Sequence, residues 1–310
     1  MRNYLLCIPG GGFNDILCQA VRCLRYAEKF HRTLVLDTRR SSLADDFSRW
    51  FLCDGHALRL SVDEDLQNTL CASSVYPPFL KGRLTTFTTR YDRDGKFVDA
   101  ETGLPVSFAF RKDYAEELLV HCNLGGGYNP LCILGKLRLQ PAVAAHIVGK
   151  TRSLGSGYHA VHVRNTDYRT DYMPFFHSIR AKVAGRTLVV CSDDRNCRET
   201  ARKFFTDSTV VSVADIPDTG GNPLHFYDSG DVYAKNLAML TDLFTLAGAR
   251  KLFFTRVAQG GYSGFSALAY ALRRRPDIVK RLLGLPVTPA DGCRALLRSA
   301  PVWFLRRKIR

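Results

Sequence analysis

The segment His162-Val163-Arg164-Asn165-Thr166-Asp167 closes an apolar run that begins near Tyr158. Residues 158–163 read as a short buried strand, with Gly155 and Gly157 supplying the turn into it. An arginine just past such a strand points into the crevice where open α/β sheets hold ligands. Its guanidinium keeps its charge and can fork onto two phosphate oxygens, which suits a diphosphate. Acids and hydroxyls recur at comparable places. Ser192-Asp193-Asp194 follows a second apolar run, and Ser263-Gly264-Phe265-Ser266 follows a third. Each also has an ordinary reading: Thr166-Asp167 as a turn, Ser192-Asp193-Asp194, Ser263 and Ser266 as helix caps, Asp242 as a helix surface charge.

The elements that must position these residues follow from periodicity. Residues 4–9 read as a strand, Gly10-Gly11-Gly12-Phe13-Asn14-Asp15 as a loop, 16–30 as a helix and 32–37 as a strand. Strand, glycine loop, helix, strand opens a doubly wound sheet. The polar stretch 85–106 suits a hairpin or surface excursion, 118–122 a last strand of the first half, and 141–150 a helix. The second half repeats the pattern, with strands at 186–191, 209–213 and 251–254 and a long amphipathic helix at 235–247. A loop then opens a helix containing Phe265-Ser266-Ala267-Leu268-Ala269. The expected architecture is α/β, with two Rossmann-like domains facing each other across a cleft. The boundaries are 1–150 for the first domain, 151–290 for the second and 291–310 for a basic tail.

Composition narrows the class. The chain has 310 residues, 46% of them hydrophobic, and lacks an apolar run of membrane-spanning length. Residues 1–8 turn from basic to apolar, but the glycines arrive too soon for a signal peptide. Ten cysteines without a CxxC pair suit free thiols in a reducing cytoplasm. The net charge is +15, and residues 273–310 hold eleven Lys and Arg against Asp277 and Asp291. Trp303 and Phe304 beside Arg306-Arg307-Lys308 suit peripheral contact with an anionic membrane at its inner face; a final helix with a solvated basic face fits the same composition equally well. No zinc-finger spacing or aromatic nucleic-acid strand accompanies the basic charge, which disfavours nucleic acid as a partner.

Gly10-Gly11-Gly12 is neither a dinucleotide fingerprint nor a P-loop. With its neighbours it carries a resemblance. Gly11-Gly12-Phe13-Asn14-Asp15, the Arg164 motif, Ser192-Asp193-Asp194, Leu240-Thr241-Asp242-Leu243-Phe244 and Ser263-Gly264-Phe265-Ser266 stand in order along the chain. This set resembles the GT-B fucosyltransferases, the superfamily of the nodulation, core and protein O-fucosyltransferases. The resemblance implies a GT-B-like fold, with 1–150 as the acceptor-side domain and 151–290 as the nucleotide-sugar domain, and an inverting glycosyltransferase that uses GDP-fucose and needs no metal or other cofactor. It implies that Arg164 binds the β-phosphate and that His162 sits beside the nucleotide. Asp242, Ser263 and Ser266 would hold the donor, Asp193 would lie near the ribose or base, and Gly11, Gly12 and Asn14 would reach the pyrophosphate. Asp171, with Asp167 as second choice, falls where core fucosyltransferases carry a glutamate and would be the general base. The acceptor would be a saccharide or glycolipid.

Two other functions compete. Asp92-Arg93-Asp94 spells the DxD pair of metal-dependent glycosyltransferases, although the following Gly95 reads it as a turn. A non-catalytic module for membrane glycolipid or nucleic acid would use the basic tail and leave the donor unturned.

Overall fold

The computed structural model describes residues 3–55, 57–166, 170–214, 230–257 and 261–291. Asp167 and the basic tail, with Trp303 and Phe304, lie outside the described residues. The chain divides into two compact units, Met1–Arg138 and Leu139–Arg310. The helix at Pro141, read with the first half, thus groups with the second.

In the first unit, β1 (Tyr4–Pro9) is buried along its whole length and leads into α1 (Phe13–Lys29). The chain continues through β2 (Thr33–Leu36), β3 (Phe51–Cys53), β4 (Leu58–Arg59), α2 (Glu64–Ala72) and β5 (Val75–Tyr76). Then come β6 (Thr89–Tyr91), β7 (Phe97–Asp99), β8 (Leu118–Asn123), α3 (Leu131–Leu134) and β9 (Leu137–Leu139). The main sheet has the order β4-β2-β1-β8-β5, with every neighbouring pair parallel. Its inner strands β1 and β2 are almost wholly buried apolar runs, as parallel strands covered on both faces are. β6 and β7 form the antiparallel hairpin expected within 85–106.

The second unit begins with α4 (Pro141–Ser153), then β10 (His159–Val163), α5 (Met173–Val183) and β11 (Thr187–Ser192). It continues with α6 (Arg195–Phe204), β12 (Thr209–Val211), α7 (Val232–Gly248), β13 (Lys251–Phe254), α8 (Gly264–Arg273) and α9 (Pro276–Leu282). Its parallel sheet has the order β12-β11-β10-β13. Val161 and Val163 of β10 pack with Phe176, Ile179 and Val183 of α5 and Cys197 and Ala201 of α6. Alternation along the strand sends Ala160 and His162 to the opposite face, where His162 meets α8. From β10 the chain winds outward to β11 and β12, and then returns to place β13 on the other side of β10. The carboxyl ends of β10 and β13 therefore flank a topological switch point, the place where open α/β sheets bind ligands.

Candidate active site

Arg164 is the first residue past β10, at that switch point. Its Nη1 lies 2.7 Å from Asp193 Oδ2, and its side chain keeps 19% exposure against 6% for the aspartate. The register that sets Val163 beside Ser192 brings the two together. Asp193 also accepts from Asn165 N at 2.8 Å and from Thr166 Oγ1 at 2.6 Å. One carboxylate therefore holds the arginine and the backbone that follows it. The guanidinium is aimed by this contact while part of it stays exposed.

Neighbouring polar groups stiffen the same loop. Asn165 Nδ2 donates to Asp194 Oδ2 at 2.7 Å, Thr170 N to Asn165 Oδ1 at 2.8 Å, and Thr170 Oγ1 to Arg164 O at 2.6 Å. Asp194 is the helix cap that its sequence suggests, accepting from Asn196 N at the start of α6. Asp193 is not a cap but the partner of Arg164.

His162 Nδ1 and Ser266 Oγ share a hydrogen bond of 2.6 Å between β10 and the first turn of α8. Both residues are buried. Burial first, and then Arg164 and Arg198, push the His162 pKa down to about 3, so its imidazole is neutral at pH 7. Ser263 caps α8 by accepting from Phe265 N, which leaves the amino end of that helix at the switch point. Helix amino ends favour anions. On the far side of the crevice, Arg256 follows β13, its Nε donating to Tyr262 Oη at 3.2 Å.

Asp242 is not a surface charge. It is 6% exposed on α7, and its Oδ2 lies 3.7 Å from Arg198 Nη2. Burial lifts its pKa to about 6 against the opposing pull of Arg198 and a hydrogen bond with Cys191. Arg198 itself donates from Nε to Ser192 O at 3.1 Å and from Nη1 to Ala214 O at 2.9 Å. Sequence reasoning missed this residue. The visible signal was a cation beside the apolar stripe of Cys197 and Ala201, ambiguous without the fold.

Asp171 is exposed and accepts from Met173 N at 3.3 Å at the start of α5, an N-terminal turn contact. The Asp92-Arg93-Asp94 run lies between β6 and β7. Asp92 Oδ1 accepts from Asp94 N at 2.9 Å and Lys96 N at 2.7 Å, and Asp94 pairs with Lys96. These aspartates build a hairpin turn, as the Gly95 reading expects.

In the first unit, Gly11 has φ +79°, in the left-handed region that favours glycine, and a Cβ there would also press on the Asp15 side chain at 2.9 Å. Gly12 caps α1 through its backbone, which starts the helix at Phe13 rather than at the predicted Ile16. Asn14 is half-buried in that first turn. Deeper in the unit, buried His121 lies between Ser107 Oγ at 2.8 Å and Gln19 Oε1 at 2.9 Å. Burial and then Arg22 push its pKa down to about 3.

These two neutral histidines make stability depend on pH. A histidine whose folded pKa is depressed supports the fold above its ordinary value of 6.5 and loses that support as pH falls toward 3. Between pH 6.5 and 5 each removes about 2 kcal/mol, and protonation of Asp242 returns about 1 kcal/mol. Urea unfolding at pH 7 and pH 5 should therefore show a net loss at pH 5; equal stabilities would contradict the neutral imidazoles.

The sequence matches no protein-family model and no curated protein. The fold does have solved counterparts. The fucosyltransferase NodZ from Bradyrhizobium superposes with a TM-score of 0.60 at 17% identity, covering 88% of this chain and 94% of that one. NodZ α-1,6-fucosyltransferase co-crystallized with GDP gives 0.59 at 17% identity, covering 88% and 93%. The form soaked with GDP-fucose gives 0.58 at 18% identity, covering 88% and 92%. The chain thus has the fold of the GT-B fucosyltransferases.

Proposed function

We propose that this protein is an inverting, metal-independent glycosyltransferase that moves fucose from GDP-fucose to a saccharide or glycoconjugate hydroxyl. The observation that carries the proposal is Arg164, fixed by Asp193 at 2.7 Å at the switch point of the second sheet, with its guanidinium partly exposed. Its support is the shared fold, whose solved counterparts include forms with GDP and GDP-fucose.

The chemistry fits these groups. As the sugar–phosphate bond breaks, negative charge builds on the departing diphosphate and positive charge on the anomeric carbon. Arg164 and the amino end of α8 neutralise the diphosphate. Asp193 keeps the guanidinium aimed, so no reorganisation is needed as the charge develops. His162, neutral and tied to Ser266, walls the nucleotide without adding charge. The acceptor hydroxyl attacks the opposite face of the anomeric carbon, which inverts its configuration. The hydroxyl proton passes to a base, the role given to Asp171, whose exposed carboxylate meets Met173 N through Oδ1 at 3.3 Å.

A panel of sugar nucleotides incubated with saccharide acceptors in EDTA tests the reading, with release of the free diphosphate as readout. GDP-fucose should be turned over, and GDP should raise the thermal midpoint under the same conditions. Turnover that needs added manganese, or no GDP-dependent stabilisation, would overturn it.

A further inference from the structure

The edge of the second sheet opposite Arg164 is strongly basic. Because β10, β11 and β13 run parallel, their first residues share one edge, and the helices returning between them end there. Lys150 and Arg152 occupy the last turn of α4, and Lys182 that of α5. Arg186 precedes β11, Arg250 precedes β13 and Lys251 begins it. All six are exposed.

Three of them, Arg186, Arg250 and Lys251, converge around His159. Lys251 lies beside His159 in the sheet register, Arg250 N donates to Tyr158 O at 2.9 Å, and Thr209 N to Arg186 O at 3.1 Å. Lys251, Arg186 and Arg250 all act on His159, adding to the burial that disfavours its protonation. Among the described residues none of the six has an ion pair, whereas Arg180, Arg195 and Arg275 pair with Asp207, Glu199 and Asp277. The first unit holds 18 Lys and Arg against 16 Asp and Glu; the second holds 26 against 13.

Helix dipoles account for part of this, because cations stabilise the last turns of α4 and α5. They account less for Arg186, Arg250 and Lys251, which lie at strand starts two to three residues past the last turns of α5 and α7. Crowded cations repel one another, so an unpaired cluster suits an external polyanion.

We propose that this edge docks on an anionic lipid bilayer. Its second support is the route of the chain. Arg273, at the end of α8, donates to Ala249 O at 2.9 Å, so the last described helices leave from the same edge. The sequence that follows adds six further Lys and Arg together with Trp303 and Phe304, ring types that settle at the headgroup level. Nucleic acid would use the cations but has no need of that pairing. Docking in this way leaves the Arg164 edge of the sheet facing away from the lipid. It does not depend on the transferase reading.

The test is cosedimentation of the full chain with phosphatidylcholine vesicles, with and without phosphatidylglycerol. Wild type should bind only the anionic vesicles, and less at about 0.5 M salt. Each cation near such a surface is worth about fivefold in binding, so Lys182→Ser, Arg186→Ser, Arg250→Ser and Lys251→Ser together should lose at least about 100-fold. The pair Arg250→Ser and Lys251→Ser, expected to lose about 25-fold, serves if the fourfold variant does not fold. Unchanged vesicle binding by the pair, equal binding to neutral vesicles, or binding to duplex RNA with no binding to vesicles would overturn the proposal.

Discussion

Arg164→Ala should lower fucosyl transfer from GDP-fucose by about 10²–10³-fold while leaving the fold intact. The loss should fall mainly on kcat, because the guanidinium meets more charge as the diphosphate leaves than it meets in the bound donor. Stability should hardly change. Asp193 keeps its bonds from Asn165 N and Thr166 Oγ1, so no buried carboxylate is left without donors. Arg164→Lys should lie between the two, since an ammonium keeps the charge but cannot bond Asp193 and a phosphate with a rigid fork. Steady-state rates and thermal midpoints of the three proteins decide the matter. Wild-type turnover by Arg164→Ala would remove the arginine from the mechanism and, with it, the proposed function.

Arg164 could be found from sequence because its signal is local: an apolar run long enough for a buried strand, then a cation. The same logic located β1, β10, β11 and β13; the first three are buried almost throughout, and the half-buried β13 still shows as the apolar run Leu252-Phe253-Phe254. Short elements escaped it. β4 and β5 have two residues each and show no period at all. α5 was hidden because its apolar stripe, Phe176, Ile179 and Val183, opens directly from a polar loop at Asp171. α1 was begun three residues late because Gly12 caps it by backbone alone, without a capping side chain to announce it. The partners within the site were harder still. Whether Asp193 caps α6 or holds Arg164 depends on the register of β10 against β11, a relation between residues far apart in sequence. Asp242 and Arg198 meet only when α7 and α6 have both packed near the end of β11.

That last pair gives the second large effect. Arg198→Ala should lower the unfolding free energy by about 3–5 kcal/mol at pH 8, because it strands the Asp242 carboxylate in the interior. The pH dependence identifies the cause. Burial already holds the Asp242 pKa near 6 with the arginine present, and its removal raises that value further. A buried acid with a raised folded pKa costs stability above that pKa and is relieved as pH falls through it. The deficit of Arg198→Ala should therefore shrink at pH 5. Arg198→Met with Asp242→Leu should cost less than Arg198→Ala alone, since both charges leave together and the volume stays filled. Fold and positioning then separate. The double variant still leaves Ser192 O without its guanidinium donor, next to the aspartate that aims Arg164. It should fold well and yet transfer about tenfold more slowly, as small displacements of a catalytic group do. An equal deficit at pH 8 and pH 5, or strictly additive losses in the double variant, would mean that the two side chains do not act as a pair.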